Sequence, residues 1–232
     1  VVTATTLVKA AHRQRSGAVV FRASPRRAPG DRRRPIAFRR YNLSGEEVAL
    51  LTDVGGQHAP RKGLVIVYTG DGKGKTTAAL GLVFRALGQG MSVCVIQFIK
   101  SGKGRWGETK MAERLGIDWH AMGKGFSFEP EHAVRDAAKA REAWAFAQGR
   151  IEQGGFDVIV LDEFTYPLKY GWLDTHEVIG WLKAHRPPDM HLVITGRDAP
   201  REIVELADTV TEMRKIKHPF DQGVPAQPGI EF

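Results

Sequence analysis

Cysteine is almost missing from this chain: Cys94 is the single one in 232 residues. Without a second thiol no internal disulfide can form, which fits a cytoplasmic setting. Cys94 lies in the apolar stretch Val93-Cys94-Val95-Ile96 and reads as a small buried hydrophobe, not a reactive thiol. No apolar run is long enough for a membrane span, so a membrane partner is not expected. The eight histidines have no metal-ligand spacing, and no internal repeat is present. His218 reads as structural or solvated.

Basic excess is also missing from most of the chain, although the net charge is +8. The first forty residues hold eleven Lys and Arg against one acid, Asp31, so the rest is slightly acidic. Nucleic-acid binding by the body therefore has no electrostatic support. The leader is rich in Arg and Pro, has no helical periodicity, and lacks the apolar core of a secretory signal. Residues 1–62 are expected to be a basic, disordered extension, and residues 63–232 one folded domain.

What the chain does have is a glycine-rich loop between an apolar strand and an apolar helix. It reads Thr69-Gly70-Asp71-Gly72-Lys73-Gly74-Lys75-Thr76-Thr77. Glycine has no Cβ, so successive N–H groups can curl around an anion. Lys75 supplies a mobile positive charge, Thr76 a hydroxyl for Mg²⁺, and the following helix its positive end. Lys73 is expected to face the phosphates. The loop departs from the usual G-x-x-x-x-G-K-[ST]: the first glycine position is Thr69, and Gly70 comes one residue late. A nucleoside triphosphate is expected here, held in an altered sense.

From Gly63 on, strand and helix alternate, which predicts a parallel sheet. Strands are expected at 64–69, 92–98, 117–120, 156–161, 191–195 and 209–214. Helices are expected at 75–87, 110–115, 131–152, 174–184 and 201–206. The 75–87 helix is apolar almost all round and should be buried. Residues 100–108 read as a polar lid or substrate loop. Val158-Ile159-Val160-Leu161 delivers Asp162 and Glu163 to the strand end where ligands bind in such sheets, so the pair is a candidate Mg²⁺ holder. The sequence leaves open which acid touches the ion. Arg197 follows another apolar strand at the same edge and could clamp phosphate or ribose oxygens, or be an ordinary surface arginine. Arg85 is a weaker candidate of the same kind. Phe126 and Phe128, in a glycine-containing loop, read first as core anchors.

Several segments together resemble one family, the ATP:corrinoid adenosyltransferases. They are the loop from Thr69 to Ala79, Val95-Ile96-Gln97-Phe98-Ile99-Lys100, Gly125-Phe126, and Leu161-Asp162-Glu163-Phe164-Thr165-Tyr166. Ile194-Thr195-Gly196-Arg197, Glu205-Leu206-Ala207-Asp208-Thr209-Val210, Lys217-His218-Pro219-Phe220-Asp221 and Ala226-Gln227-Pro228-Gly229-Ile230-Glu231 continue the match to the end of the chain. The resemblance implies an α/β, P-loop NTPase-like (RecA-like) fold, with a mostly parallel sheet and helices on both faces. It implies transfer of the 5′-deoxyadenosyl group of ATP to the Co(I) centre of a corrinoid, with triphosphate released.

It implies that Gly70, Asp71, Gly72, Lys73, Gly74, Lys75, Thr76, Thr77 and Arg197 bind ATP. Lys75, Thr76 and Glu163 would be the catalytic set, and Thr76 and Glu163 would hold Mg²⁺ beside Asp162. Phe126 and Phe128 would flank the lower face of the cobalt. It further implies a homodimer and a flavoprotein reductase. Two departures stand out. The second aromatic is often Trp in the family and is Phe128 here, and residues 1–60 do not match the polar N-terminal helix usual in the family. Two other readings remain: a P-loop ATPase or kinase working with nucleic acid through the basic leader, and a nucleotide sensor without turnover.

Overall fold

The computed structural model describes residues 20–23, 38–41, 47–48, 62–101, 106–123, 125 and 133–231. The chain divides into two compact units, residues 1–57 and 58–232. In the first, β1 (Val20–Ala23), β2 (Phe38–Tyr41) and β3 (Glu47–Val48) pair antiparallel in that order.

The second unit is an α/β sandwich around six strands: β4 (Val65–Thr69), β5 (Val93–Ser101), β6 (Asp118–Gly123), β7 (Val158–Asp162), β8 (His191–Thr195) and β9 (Thr209–Glu212). Their order is β6-β5-β7-β8-β4-β9, and every neighbouring pair is parallel. The fold is therefore the expected P-loop NTPase-like, RecA-like α/β class. Its helices are α1 (Lys75–Gly88), α2 (Gly107–Leu115), α3 (Ala133–Gln153), α4 (Thr165–Lys169), α5 (Thr175–His185) and α6 (Arg201–Leu206).

Both faces of the sheet are covered, so the central strands read as continuous apolar runs. Alternate residues supply two cores. Val93, Val95, Val158, Val160 and Val193 pack against Ala79, Val83, Ala86 and Leu87 of α1. Cys94, Ile96, Phe98, Ile159, Leu161, Leu192 and Ile194 pack on the other face, with Trp144, Ala147 and Ile151 of α3 and Val178 and Leu182 of α5. The helical spacing of Ala140, Trp144, Ala147 and Ile151 thus marks a buried stripe, as the sequence implies.

α1 differs from expectation. It buries one face only, and Phe84 stands 75% exposed on the other. Apolar composition by itself does not report whether a second layer lies outside the helix. β5 runs three residues past its expected end, to Ser101, and α2 begins at Gly107, so both ends of the polar 100–108 stretch lie in regular elements. α4 was not expected: its Pro167 occupies an early position, where a missing N–H is tolerated.

Candidate active site

The phosphate loop is shaped by what lies behind it. Gly72 N–H donates to Met213 O at 2.7 Å, and Met213 N–H donates to Thr69 O at 2.8 Å. A Cβ on Gly70 would stand 2.4 Å from Met213 O, and one on Gly72 2.7 Å from it. The loop can lie this close to the segment leaving β9 only if both residues lack a side chain. This backbone pairing also ends β9 at Glu212. Gly74, with φ of 117°, turns the chain into α1.

Lys75 Nζ spans the loop, donating to Gly70 O at 2.8 Å and Gly72 O at 2.6 Å. Burial, and then the nearby Arg197 guanidinium, lower its pKa. Arg197 itself is exposed at the end of β8, and its carbonyl accepts a 2.6 Å bond from Thr165 Oγ1. Lys73 does not face into the loop as expected. Its Nζ donates to Ile230 O at 3.1 Å and lies 3.6 Å from Glu231 Oε1, so it holds the C-terminal tail. Asp71 also faces that tail side, its Oδ1 accepting from Lys215 N–H at 3.3 Å. Thr77 is exposed. Arg85 lies in the last turn of α1, about 15 Å along the helix from Lys75. His218 is structural: its Nδ1 accepts from Phe220 N–H at 3.2 Å and caps the 3₁₀ turn Pro219–Gln222.

The two acids at the end of β7 differ sharply. Asp162 is 1% exposed and hydrogen-bonded through both oxygens. Its Oδ1 accepts from Thr76 Oγ1 at 2.9 Å and from Thr195 Oγ1 at 2.7 Å, and its Oδ2 from Gln97 Nε2 at 2.9 Å. Four elements, α1, β5, β7 and β8, thus meet on one carboxylate.

Glu163 has a left-handed backbone, with φ of 62°, a strained conformation for a residue with a side chain. Its N–H donates to Thr195 Oγ1 at 2.9 Å, so one hydroxyl fixes both acids. Its Oε2 is buried and accepts no hydrogen bond from the described residues. Burial, then the charge of Asp162, push its pKa up to about 7, against the pull of Lys100 and Lys75. A buried carboxylate oxygen without a donor, beside a threonine hydroxyl and a phosphate loop, fits a hard divalent cation such as Mg²⁺.

Gln97 and Thr195 were missed as site residues. The signal for them is a polar residue inside or closing an otherwise apolar strand, Val93-Cys94-Val95-Ile96-Gln97 and His191-Leu192-Val193-Ile194-Thr195. Lys100, at the same sheet edge, is bound to Glu108 Oε1 at 2.6 Å. Burial works against its charge, but that bond and the nearby acids raise its pKa. Phe126 and Phe128 lie outside the described residues. The chain approaches them at Gly125, whose N–H donates to Ile99 O at 3.0 Å.

Known proteins match this arrangement over most of its length. The model of the family described as ATP:corrinoid adenosyltransferase BtuR/CobO/CobP matches residues 61–232. The corrinoid adenosyltransferase of Escherichia coli strain K12 is 43% identical over 178 residues, covering 76% of this chain and 89% of that one. Corrinoid adenosyltransferase CobA of Salmonella typhimurium strain LT2 gives the same identity and coverage. The corrinoid adenosyltransferase of Pseudomonas aeruginosa is also 43% identical, over 76% of this chain and 87% of its own. With its loop, its paired acids and about three quarters of its length matched in this way, the chain belongs to the ATP:corrinoid adenosyltransferase family of transferases.

Proposed function

We propose that residues 63–232 form a catalytic domain that transfers the 5′-deoxyadenosyl group of ATP to the Co(I) centre of a corrinoid and releases triphosphate, with residues 1–62 an extension. The observation that carries this reading is the division of labour between the two acids: Asp162 already accepts three hydrogen bonds, on both of its oxygens, and Glu163 keeps one buried oxygen without a donor among the described residues. Glu163 and Thr76 then hold Mg²⁺, and Asp162 fixes Thr76. Bound there, the ion neutralises charge on the triphosphate.

In the reaction, the Co(I) electron pair forms the bond to C5′ of the ribose. The C5′–O bond breaks, and its electron pair leaves with triphosphate. The leaving group is the whole triphosphate chain, so the protein must grip all of it. Lys75 exchanges the carbonyls of Gly70 and Gly72 for phosphate oxygens, and the N–H groups of the Gly70–Thr77 segment and the positive end of α1 add to it. Arg197, exposed beside Lys75, is placed to contact the same chain of phosphates. Phe126 and Phe128 flank the lower cobalt face and exclude an axial ligand, which eases reduction to Co(I). A flavoprotein supplies the electron, the working unit is a homodimer, and the reaction runs in the cytoplasm. Asp71 and Lys73 act from the outer side of the loop, tying it to the tail.

The test is product analysis with Mg²⁺-ATP and chemically reduced cobalamin, without air and in the dark. Triphosphate and a light-labile Co–C product in equal amounts are expected. ADP and phosphate in their place would overturn the reading.

A further inference from the structure

Parallel pairing of β5 with β6 sets Cys94 beside Asp118 and Ile96 beside His120. Side chains two apart on a strand share a face, so Asp118 and His120 stand together on the side where Cys94 points. Ligand atoms of Cys94, Asp118 and His120 all lie within 4.8 Å of one another, and His120 Nε2 is 2.9 Å from Asp118 Oδ1. Cys94 forms the buried floor, while the side chains of Asp118 and His120 are 29% and 26% exposed. Asp118 Oδ2 is itself buried without a hydrogen bond among the described residues, with Arg150 Nη2 3.4 Å away. The cluster lies toward the start of β5, three residues before Gln97, and uses none of the groups that hold the nucleotide.

We propose that Cys94, Asp118 and His120 form a binding site for a zinc-type divalent cation that clips the edge strand β6 to β5. Sulfur, imidazole nitrogen and carboxylate oxygen are the donors such an ion takes, and three of them leave a fourth position for water. No spacing along the chain reveals the site, because the ligands come from two strands and meet only through their register.

The thiol gives up its proton as the S–metal bond forms, so one H⁺ leaves for each ion bound. Burial, then the Asp118 charge, hold the thiol well above its usual range, and a cation relieves both. Arg150 now supplies the positive charge, 3.5 Å from Asp118 Oδ1 and 3.3 Å from His120 Nε2. It has a place to withdraw to, since its Nη1 already reaches Gln153 Oε1 at 3.2 Å. Its Nε is buried without a partner among the described residues, so the present contact leaves Arg150 itself incompletely satisfied.

Titration of the full chain with Co²⁺ alone, without nucleotide or corrinoid, tests the site. Cys94 is the single cysteine, so a thiolate-to-cobalt charge-transfer band reports this site and not the oxygen ligands at Glu163. The expected result is a band that saturates with Co²⁺, comes with one more proton released per chain than Cys94→Ala releases, and is bleached by Zn²⁺. His120→Gln and Asp118→Asn weaken binding tenfold or more, and Arg150→Gln tightens it. Absence of the band at saturating Co²⁺ overturns the proposal. So does a band of unchanged affinity in both His120→Gln and Asp118→Asn, which would mark a bare thiol.

Discussion

Glu163 carries the strongest physical tension at the scale of single residues. A left-handed backbone, a buried oxygen without a donor and a pKa near 7 coincide on one carboxyl group. Its usual value is 4.5, so the folded protein holds a proton that the unfolded chain loses between about pH 4.5 and 7. The protonated form is therefore favoured in the fold, and stability attributable to this group falls as pH rises through that window. Glu163→Gln keeps the shape and removes the charge. Without Mg²⁺, it should raise thermal stability at pH 8, by about 1–3 kcal/mol, and change little at pH 4. With Mg²⁺-ATP it should lose most of its activity. Thermal melts at the two pH values, read beside turnover, check both; a variant less stable than the parent at pH 8 would show that the charge is already compensated. The pair Asp162-Glu163 was legible in the sequence because an apolar strand ended in two acids. Their different roles were not, because the role depends on donors supplied by Gln97 and Thr195 from other strands.

Among the elements, the end of β8 does more for the site than its own sequence suggests. Thr195 Oγ1 donates to Asp162 and accepts from the N–H of Glu163, so it locks the end of β7 in place. Gly196 follows with φ of 147°, and a Cβ there would stand 2.0 Å from Thr165 Oγ1, which fixes how closely β8 approaches α4. Thr195→Val conserves shape but orphans the Glu163 N–H and removes one donor from Asp162. It should cost about 1–3 kcal/mol of stability. It should also raise the Mg²⁺ concentration needed for half-maximal turnover more than it lowers the maximal rate, because Thr195 positions the ligands and touches neither substrate. Thr195→Ser, which restores the hydroxyl, should recover both. Equal losses in Val and Ser would place the effect in packing.

Elements are also where sequence patterns failed in an instructive way. Strand identity was clear from apolar runs bounded by glycine and polar residues. Strand ends were not, because β5 is extended by pairing with β6, and β9 is cut short where Met213 bonds Thr69 and Gly72. The tail contacts of Lys73 were hidden for the same reason. Its place in the loop pointed to phosphate, and only the tail's return brings Ile230 O and Glu231 within its reach.

For the whole molecule, the strand order β5-β7-β8-β4 matters because it sets four strands side by side, each carrying part of one site. Gln97 comes from β5, Asp162 and Glu163 from and after β7, Thr195 from β8, and the loop from β4. A ligand whose site is assembled from four strands is bound by the native sheet and not by the unfolded chain, so binding and global stability are linked. At a hundredfold excess over its dissociation constant, Mg²⁺-ATP should add about 2.7 kcal/mol, which for a domain of this size raises the melting temperature by roughly 5–10 °C. ATP with a chelator should give a smaller shift, held by Lys75 and the loop alone. Glu163→Gln should erase the difference between the two conditions, because the ion then loses its charged ligand. Thermal melts of parent and variant under both conditions read this directly. A Mg²⁺-dependent shift that survives in Glu163→Gln would assign the ion to Asp162, whose Oδ2 accepts only one of its three hydrogen bonds.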